Sequence, residues 1–169
     1  MPSQRELIVE HIPRLRRYAR ALMKNDSLAA DDLVQDCLER ALSRLHSWRQ
    51  GSDLRAWLFT IMHNLYVNQV RRASNGPRFV EMPDQGIGAS ASSAEAGLAL
   101  RDLSRGVAAL PPDQREILLL VSLEGLRYAE VASILGIPEG TVMSRLSRAR
   151  KQLRNLMLHE ANTSLRRVK

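Results

Sequence analysis

Gly136 and Pro138, separated only by Ile137, interrupt an otherwise helical run from Tyr128 to Arg154. Gly136 follows Leu135, where a helix commonly ends on a residue with positive φ. Pro138 suits the first turn of a new helix, where its missing N–H costs nothing. Before the break, Tyr128, Val131, Ala132 and Leu135 share one face at helical spacing. After it, Val142, Leu146, Ala149, Leu153 and Leu156 do the same. Ala132 is small where two crossing helices must approach. Two helices, a three-residue turn with glycine and a small residue at the crossing spell a helix-turn-helix.

At 100° per residue, Val142, Leu146 and Leu153 point inward on the second helix. Gly140, Ser144, Ser147, Arg148 and Lys151 point away, with Thr141 and Arg145 on one flank and Arg150 and Arg154 on the other. Short polar groups in the middle and cations at the margins match what a major groove accepts. A basic face alone is more often only a solvated surface; the attached turn favours DNA. A net charge of +7 and a pI near 10.5 also favour a polyanionic partner. With 4% aromatic residues, stacking platforms for single strands are few.

The rest of the chain also reads as helix. Leu7, Ile8, Ile12, Leu15, Tyr18, Ala19 and Leu22 form a stripe over about 4–24, and Pro13 is expected to start a second helix there. Residues 27–48 form a long amphipathic helix, with Val34, Cys37, Leu38, Ala41, Leu45 and Trp48 inward. Its other side carries Asp32, Gln35, Asp36 and Glu39. DNA would repel that acidic face, and a basic protein surface would complement it. Complementing the helix dipole accounts for Asp31 and Asp32 but poorly for Glu39, so the residues alone leave both readings open. After the polar loop 49–53 comes a helix over 54–72 with Leu54, Leu58, Ile61 and Leu65 inward. Trp57, Asn64, Asn68 and Arg71 form a stripe beside that core. Such residues can support an unstacked base, read base edges and hold phosphate; for Trp57 alone, a core position is the better reading.

Residues 73–97 are rich in Gly, Ser, Ala and Pro and read as a flexible linker, with a root-mean-square reach of ~25–30 Å. Beyond it, Leu100, Leu103, Val107 and Leu110 mark a helix. Pro111 and Pro112 open the next, with Asp113, Gln114 and Glu116 in its first turn. Ile117 to Leu123 is nearly continuous apolar and central to a second core. The tail from Asn162 is expected to fray. The fold class is all-α: two small helical domains, 1–72 and 98–169, joined by a linker, the second with the helix-turn-helix.

Catalytic chemistry is missing. There is no P-loop, GxGxxG, HExxH or GxSxG. His11, His46, His63 and His159 share no spacing. The single cysteine, Cys37, excludes a disulfide within the chain and reads as a buried small hydrophobe. No enzyme activity, cofactor or metal is expected. The start of the chain is polar and no apolar run approaches ~18 residues, so a soluble cytoplasmic protein without membrane insertion is expected.

Three segments together carry a resemblance: DDLVQDCLERAL; Trp48 and Trp57 spaced W-x8-W with RAWLFTIMHNLYVNQVRR; and ALPPDQREILLLVSLEGLRYAEVASILGIPEGTVMSRLSRARKQL. In this order the chain resembles bacterial RNA polymerase sigma factors of the extracytoplasmic-function (ECF) group. The resemblance implies roles by position. Asp32, Gln35, Asp36 and Glu39 match the segment that docks on core polymerase, which favours the interface reading of the acidic face. Gln50, Ser52, Asp53, Asn64, Asn68, Arg71 and Arg72 match the segment that melts and reads the minus-ten element. Thr141, Met143, Ser144, Ser147 and Arg148 match the base-proximal part of the minus-thirty-five reader, and Arg145 and Arg150 its phosphate grip. Met143 departs from the polar or basic residue often found there and offers a thymine methyl an apolar contact. Core RNA polymerase, promoter DNA and an anti-sigma factor are the implied partners. A stand-alone helix-turn-helix regulator would need neither acidic helix nor linker, and a pure protein adaptor would not need Ser144 and Arg148 facing a groove.

Overall fold

The computed structural model describes residues 1–75 and 94–168. Helix α1 spans Gln4–Leu22 and opens with a capping box in which Ser3 and Glu6 satisfy each other's backbone N–H. Pro13 lies inside α1 rather than starting a new helix. It sits on the exposed side below Val9, where water can take the carbonyl that proline leaves unbonded. Lys24 and Asn25, at φ of 55° and 63°, turn the chain into α2 (Ser27–Ser43). The Asp26 carboxylate caps it by accepting from the Ala29 N–H at 3.1 Å. The long helix expected to reach Trp48 stops at Ser43; a 3-10 turn, Leu45–Ser47, completes the stretch.

Helix α3 runs Leu54–Asn75, started by Asp53 accepting from the Ala56 N–H at 3.2 Å. Of the stretch read as a linker, 73–75 extend α3 and 94–97 begin α4 (Ala94–Ala109); its remaining residues lie outside the described ones. Helices α1, α2 and α3 close around Leu15, Leu33, Cys37, Leu58 and Met62, all at most 1% exposed. Tyr18 and Phe59 meet edge to face at 4.9 Å.

The second unit packs α4, α5 (Pro112–Leu118), α6 (Tyr128–Leu135) and α7 (Glu139–Arg167) around Ile117, Leu120, Val131, Val142, Leu146 and Ala149. Between α5 and α6 the apolar run adopts a π-helical turn, Leu119–Leu123, and the Glu124 N–H reaches back five residues to the Leu119 carbonyl. Gly106 marks a close crossing of α4 and α7, since an added Cβ would lie 2.8 Å from Leu153 Cδ1. Helix α7 continues to Arg167, past the point where fraying was expected.

The two units are docked, and their apolar cores form one continuous cluster. Polar contacts cross the seam. Asn25 donates to the Ser104 hydroxyl at 2.7 Å. Arg14 and Arg17 of α1 pair with Glu124 at 3.4 and 3.2 Å. Arg55 of α3 reaches the Glu124 carbonyl at 3.4 Å and the Glu130 carboxylate at 3.9 Å. His63 Nδ1 meets the Glu116 carboxylate. The Arg115 guanidinium donates to Leu22 O of the first unit and to Val107 O, Ala108 O and Leu110 O of the second.

Candidate nucleic-acid interface

The turn between α6 and α7 has the geometry that its sequence demands. Gly136 ends α6 at φ 65°, ψ 36°. The Ile137 N–H bonds back to Ala132 O at 3.1 Å. Pro138 stands just ahead of α7 rather than within its first turn, and its carbonyl accepts from Thr141 and Val142 at 3.0 and 3.2 Å. Val142, Leu146 and Ala149 are buried, so the opposite face of α7 is turned outward by packing, not by charge.

On that outward face Ser144, Ser147, Arg148, Arg150, Lys151 and Arg154 are exposed, while Thr141 and Arg145 are half-buried at its edge. Ser144 donates to Thr141 O at 3.1 Å, which leaves its oxygen free to accept. Met143 stands out at 48% exposure, an apolar side chain among polar ones. Tyr128, Met143, Leu146, Ser147, Arg150 and Arg154 line a shallow groove between α6 and α7. Among the described residues none of Arg145, Arg148, Arg150 and Arg154 is ion-paired.

The residues assigned to the second reader lie at the start of α3 and along it. Gln50, Ser52 and Asp53 are exposed in the loop before α3. Asp53 is engaged as the cap of α3, and Ser52 donates to Arg49 O at 2.6 Å. Asn64, Asn68, Arg71 and Arg72 are exposed on α3. Trp57 is half-buried against the core. On α2, Asp32, Gln35, Asp36 and Glu39 are all exposed, and among the described residues none of their carboxylates is ion-paired.

Sequence reasoning missed the buried polar set at the seam: His63, Arg115, Glu116 and Glu124. Glu116 was read as a dipole-complementing residue in a first turn, yet it is 5% exposed. Burial pushes its carboxyl up, opposed by His63. Burial likewise pushes the Glu124 carboxyl up, opposed by Arg17, Arg14 and Arg55. The available signal was the pair of glutamates bracketing an apolar run at 117–123, a position where charge is expensive unless paired. Cys37 lies buried and its thiol is pushed up to about 12, so it stays protonated and inert. Among the described residues no three His, Cys, Asp or Glu side chains gather as metal ligands, and no helix is long and apolar enough to cross a membrane.

Known proteins share this organisation. Residues 8–63 match the family described as the Sigma2 domain of PhyR, and residues 100–153 match Sigma-70, region 4. The chain is 39% identical over 158 residues to the ECF RNA polymerase sigma factor EcfG of Rhodopseudomonas palustris, covering 92% of this chain and 85% of that one. Its fold superposes on the sigma factor RpoE of Bartonella quintana, solved in complex with the anti-sigma factor NepR. That match has a TM-score of 0.73 and 33% identity, over 89% of this chain and 93% of that one. It also matches CnrH, solved in complex with the cytosolic domain of CnrY, with a TM-score of 0.65 and 26% identity over 89% and 84% of the two chains. With an exposed cationic recognition helix, an exposed acidic helix and relatives of this closeness, the chain belongs to the ECF RNA polymerase sigma factor family.

Proposed function

We propose that the chain binds core RNA polymerase through α2 and brings it to promoters read by α3 and α7. Residues 1–72 serve as the polymerase and minus-ten unit, and residues 98–169 as the minus-thirty-five unit. The protein acts by recruitment and not by catalysis, in the cytoplasm where polymerase and promoters meet. One observation carries this reading: the same chain exposes an acidic face on α2 and a cationic face on α7, neither ion-paired among the described residues. Asp32, Asp36 and Glu39 offer carboxylates to a basic protein surface. Arg148, with Ser144 and Ser147, offers donors and acceptors to base edges, and Arg145 and Arg150 hold phosphate. Asn64, Asn68, Arg71 and Arg72 line the path of the melted strand, with Gln50, Ser52 and Asp53 around an extruded base. An anti-sigma factor holds the protein inactive; the likeness to RpoE, solved with the anti-sigma factor NepR, supports this.

Run-off transcription with purified core polymerase and a promoter library tests the reading. The expected result is a promoter-dependent transcript only when the chain is present. No transcript, together with tight binding of the chain alone to a palindromic operator, would point instead to a stand-alone regulator.

A further inference from the structure

The chain holds six methionines, and the fold treats them unequally. Met62 is 0% exposed in the first core. Met23 is half-buried against the apolar cluster, and Met157 is half-buried beside Gly106 where α4 crosses α7. Met82 lies outside the described residues. Apart from Met1 at the chain start, Met143 alone among the described methionines is exposed, at 48%. Cys37, the other sulfur, is buried with its thiol pushed up to about 12, so oxidants find no thiolate there.

Met143 shares a stripe of α7 with Ser147, Arg150 and Arg154, at helical spacing. These four side chains, with Tyr128 and Leu146, line the groove between α6 and α7. The core does not need this thioether, since Val142, Leu146 and Ala149 fill it from the same helix. A sulfur with two free lone pairs is thus held in water, in the middle of a face otherwise made of hydroxyls and guanidinium groups.

We propose that Met143 is an oxidative modification site: a hydroperoxide converts its thioether to the sulfoxide, and the sulfoxide weakens reading of the upstream promoter element. The promoter half of this statement rests on the function proposed above; the order in which the methionines oxidise does not. In the reaction a sulfur lone pair attacks one peroxide oxygen. An S–O bond forms and the O–O bond breaks. The departing hydroxide takes the proton of the transferred hydroxyl and leaves as water. Sulfur is oxidised by two electrons and the peroxide is reduced by two. A flexible apolar side chain becomes polar, with a strong acceptor oxygen. On this face the change acts twice. The apolar contact offered to a thymine methyl is lost. The new oxygen also lies one turn from Ser147 and in the same groove as Arg150 and Arg154, so it competes with DNA for their donors.

Timed hydrogen peroxide treatment of the full chain, read by peptide mass spectrometry, tests the site. Met143 should oxidise about tenfold faster than Met23, Met62 and Met157, and the rates should converge in urea. After catalase removes the peroxide, the chain is combined with core polymerase for run-off transcription. The oxidised parent should initiate about fivefold less than the untreated chain, and methionine sulfoxide reductase should restore it. Met143→Leu keeps an apolar side chain of similar size without sulfur. Whatever its own level of transcription, that level should not change with peroxide, although Met1 is still present. Met143 oxidising no faster than Met157, an oxidised parent as active as the untreated one, or Met143→Leu as sensitive as the parent would each overturn the proposal. A chain that gives no transcript before treatment would defeat the proposed function, and the promoter effect with it; the peptide masses still decide the site.

Discussion

The carboxylates of α2 and those of the α5–α6 segment differ in what stands opposite them. Asp32, Asp36 and Glu39 face solvent and have no internal partner among the described residues. Glu116 and Glu124 are buried against His63, Arg14 and Arg17. Carboxylates are left to solvent in one region and paired internally in the other. Accessibility separates the two roles: charge left in water is cheap and available, and charge removed from water needs a partner within reach. The arginines divide in the same way. Arg148, Arg150 and Arg154 of α7 are exposed and have no ion-pair partner among the described residues, whereas Arg14, Arg17 and Arg55 already have carboxylates.

The largest expected effect strikes the solvent-facing acids. Asp36→Arg with Glu39→Arg places like charge against a basic polymerase surface and should weaken core binding by about 100-fold or more. Co-sedimentation or calorimetry with core polymerase reads the loss, and circular dichroism should show intact helices. Undiminished affinity would return α2 to an ordinary solvated face.

A smaller effect is expected on the exposed cations. Arg148→Ala should cost about 1–3 kcal/mol of discrimination at the upstream element, seen by competition binding across base substitutions. A uniform loss across all sequences would instead make Arg148 a phosphate contact.

The smallest effect concerns pH and the buried acids. Burial raises both Glu116 and Glu124 above the ordinary carboxylate value of 4.5. Facing them are His63 of α3 and Asp113 for Glu116, and Arg17 and Arg14 of α1 with Arg55 of α3 for Glu124. A raised carboxyl binds its proton more tightly in the folded protein than in the unfolded chain. The folded form is therefore favoured most below about 4.5 and loses that advantage as pH rises through the raised values. Denaturant unfolding followed from neutral to acidic pH should show the parent gaining stability relative to Glu116→Gln with Glu124→Gln as pH falls. A parent that loses stability relative to that variant would mean that lost ion pairing outweighs relieved burial.

Much of the fold was legible because it is local. The apolar spacing on α6 and α7, and Gly136 at the turn, encode their helices within a few residues. The outward face of α7 followed from where Val142, Leu146 and Ala149 must point. Pro13 misled because a proline on the exposed side of a helix loses only a bond that water can replace. Trp48 lay beyond a helix that ends at Ser43, since the apolar pattern continues through a 3-10 turn as readily as through an α-helix. The seam was illegible for a different reason. His63 lies 53 residues from Glu116, and Arg17 lies 107 from Glu124. No periodicity within one element can announce a pairing between two. Nor does a glutamate in a first turn reveal whether it meets the helix dipole or a histidine of another unit.

Arg115 shows how little such a seam has to organise when it closes. Three of the four carbonyls it holds, those of Val107, Ala108 and Leu110, belong to its own unit, at the end of α4. The fourth, Leu22, is the last residue of α1 in the other unit. The guanidinium is thus held in position by three N–H groups turned to its own unit, and another reaches the neighbour. A side chain immobilised beforehand surrenders no further rotamer freedom on contact. Arg115 works as a preset hook, and the entropy of fixing it is settled when its own unit folds.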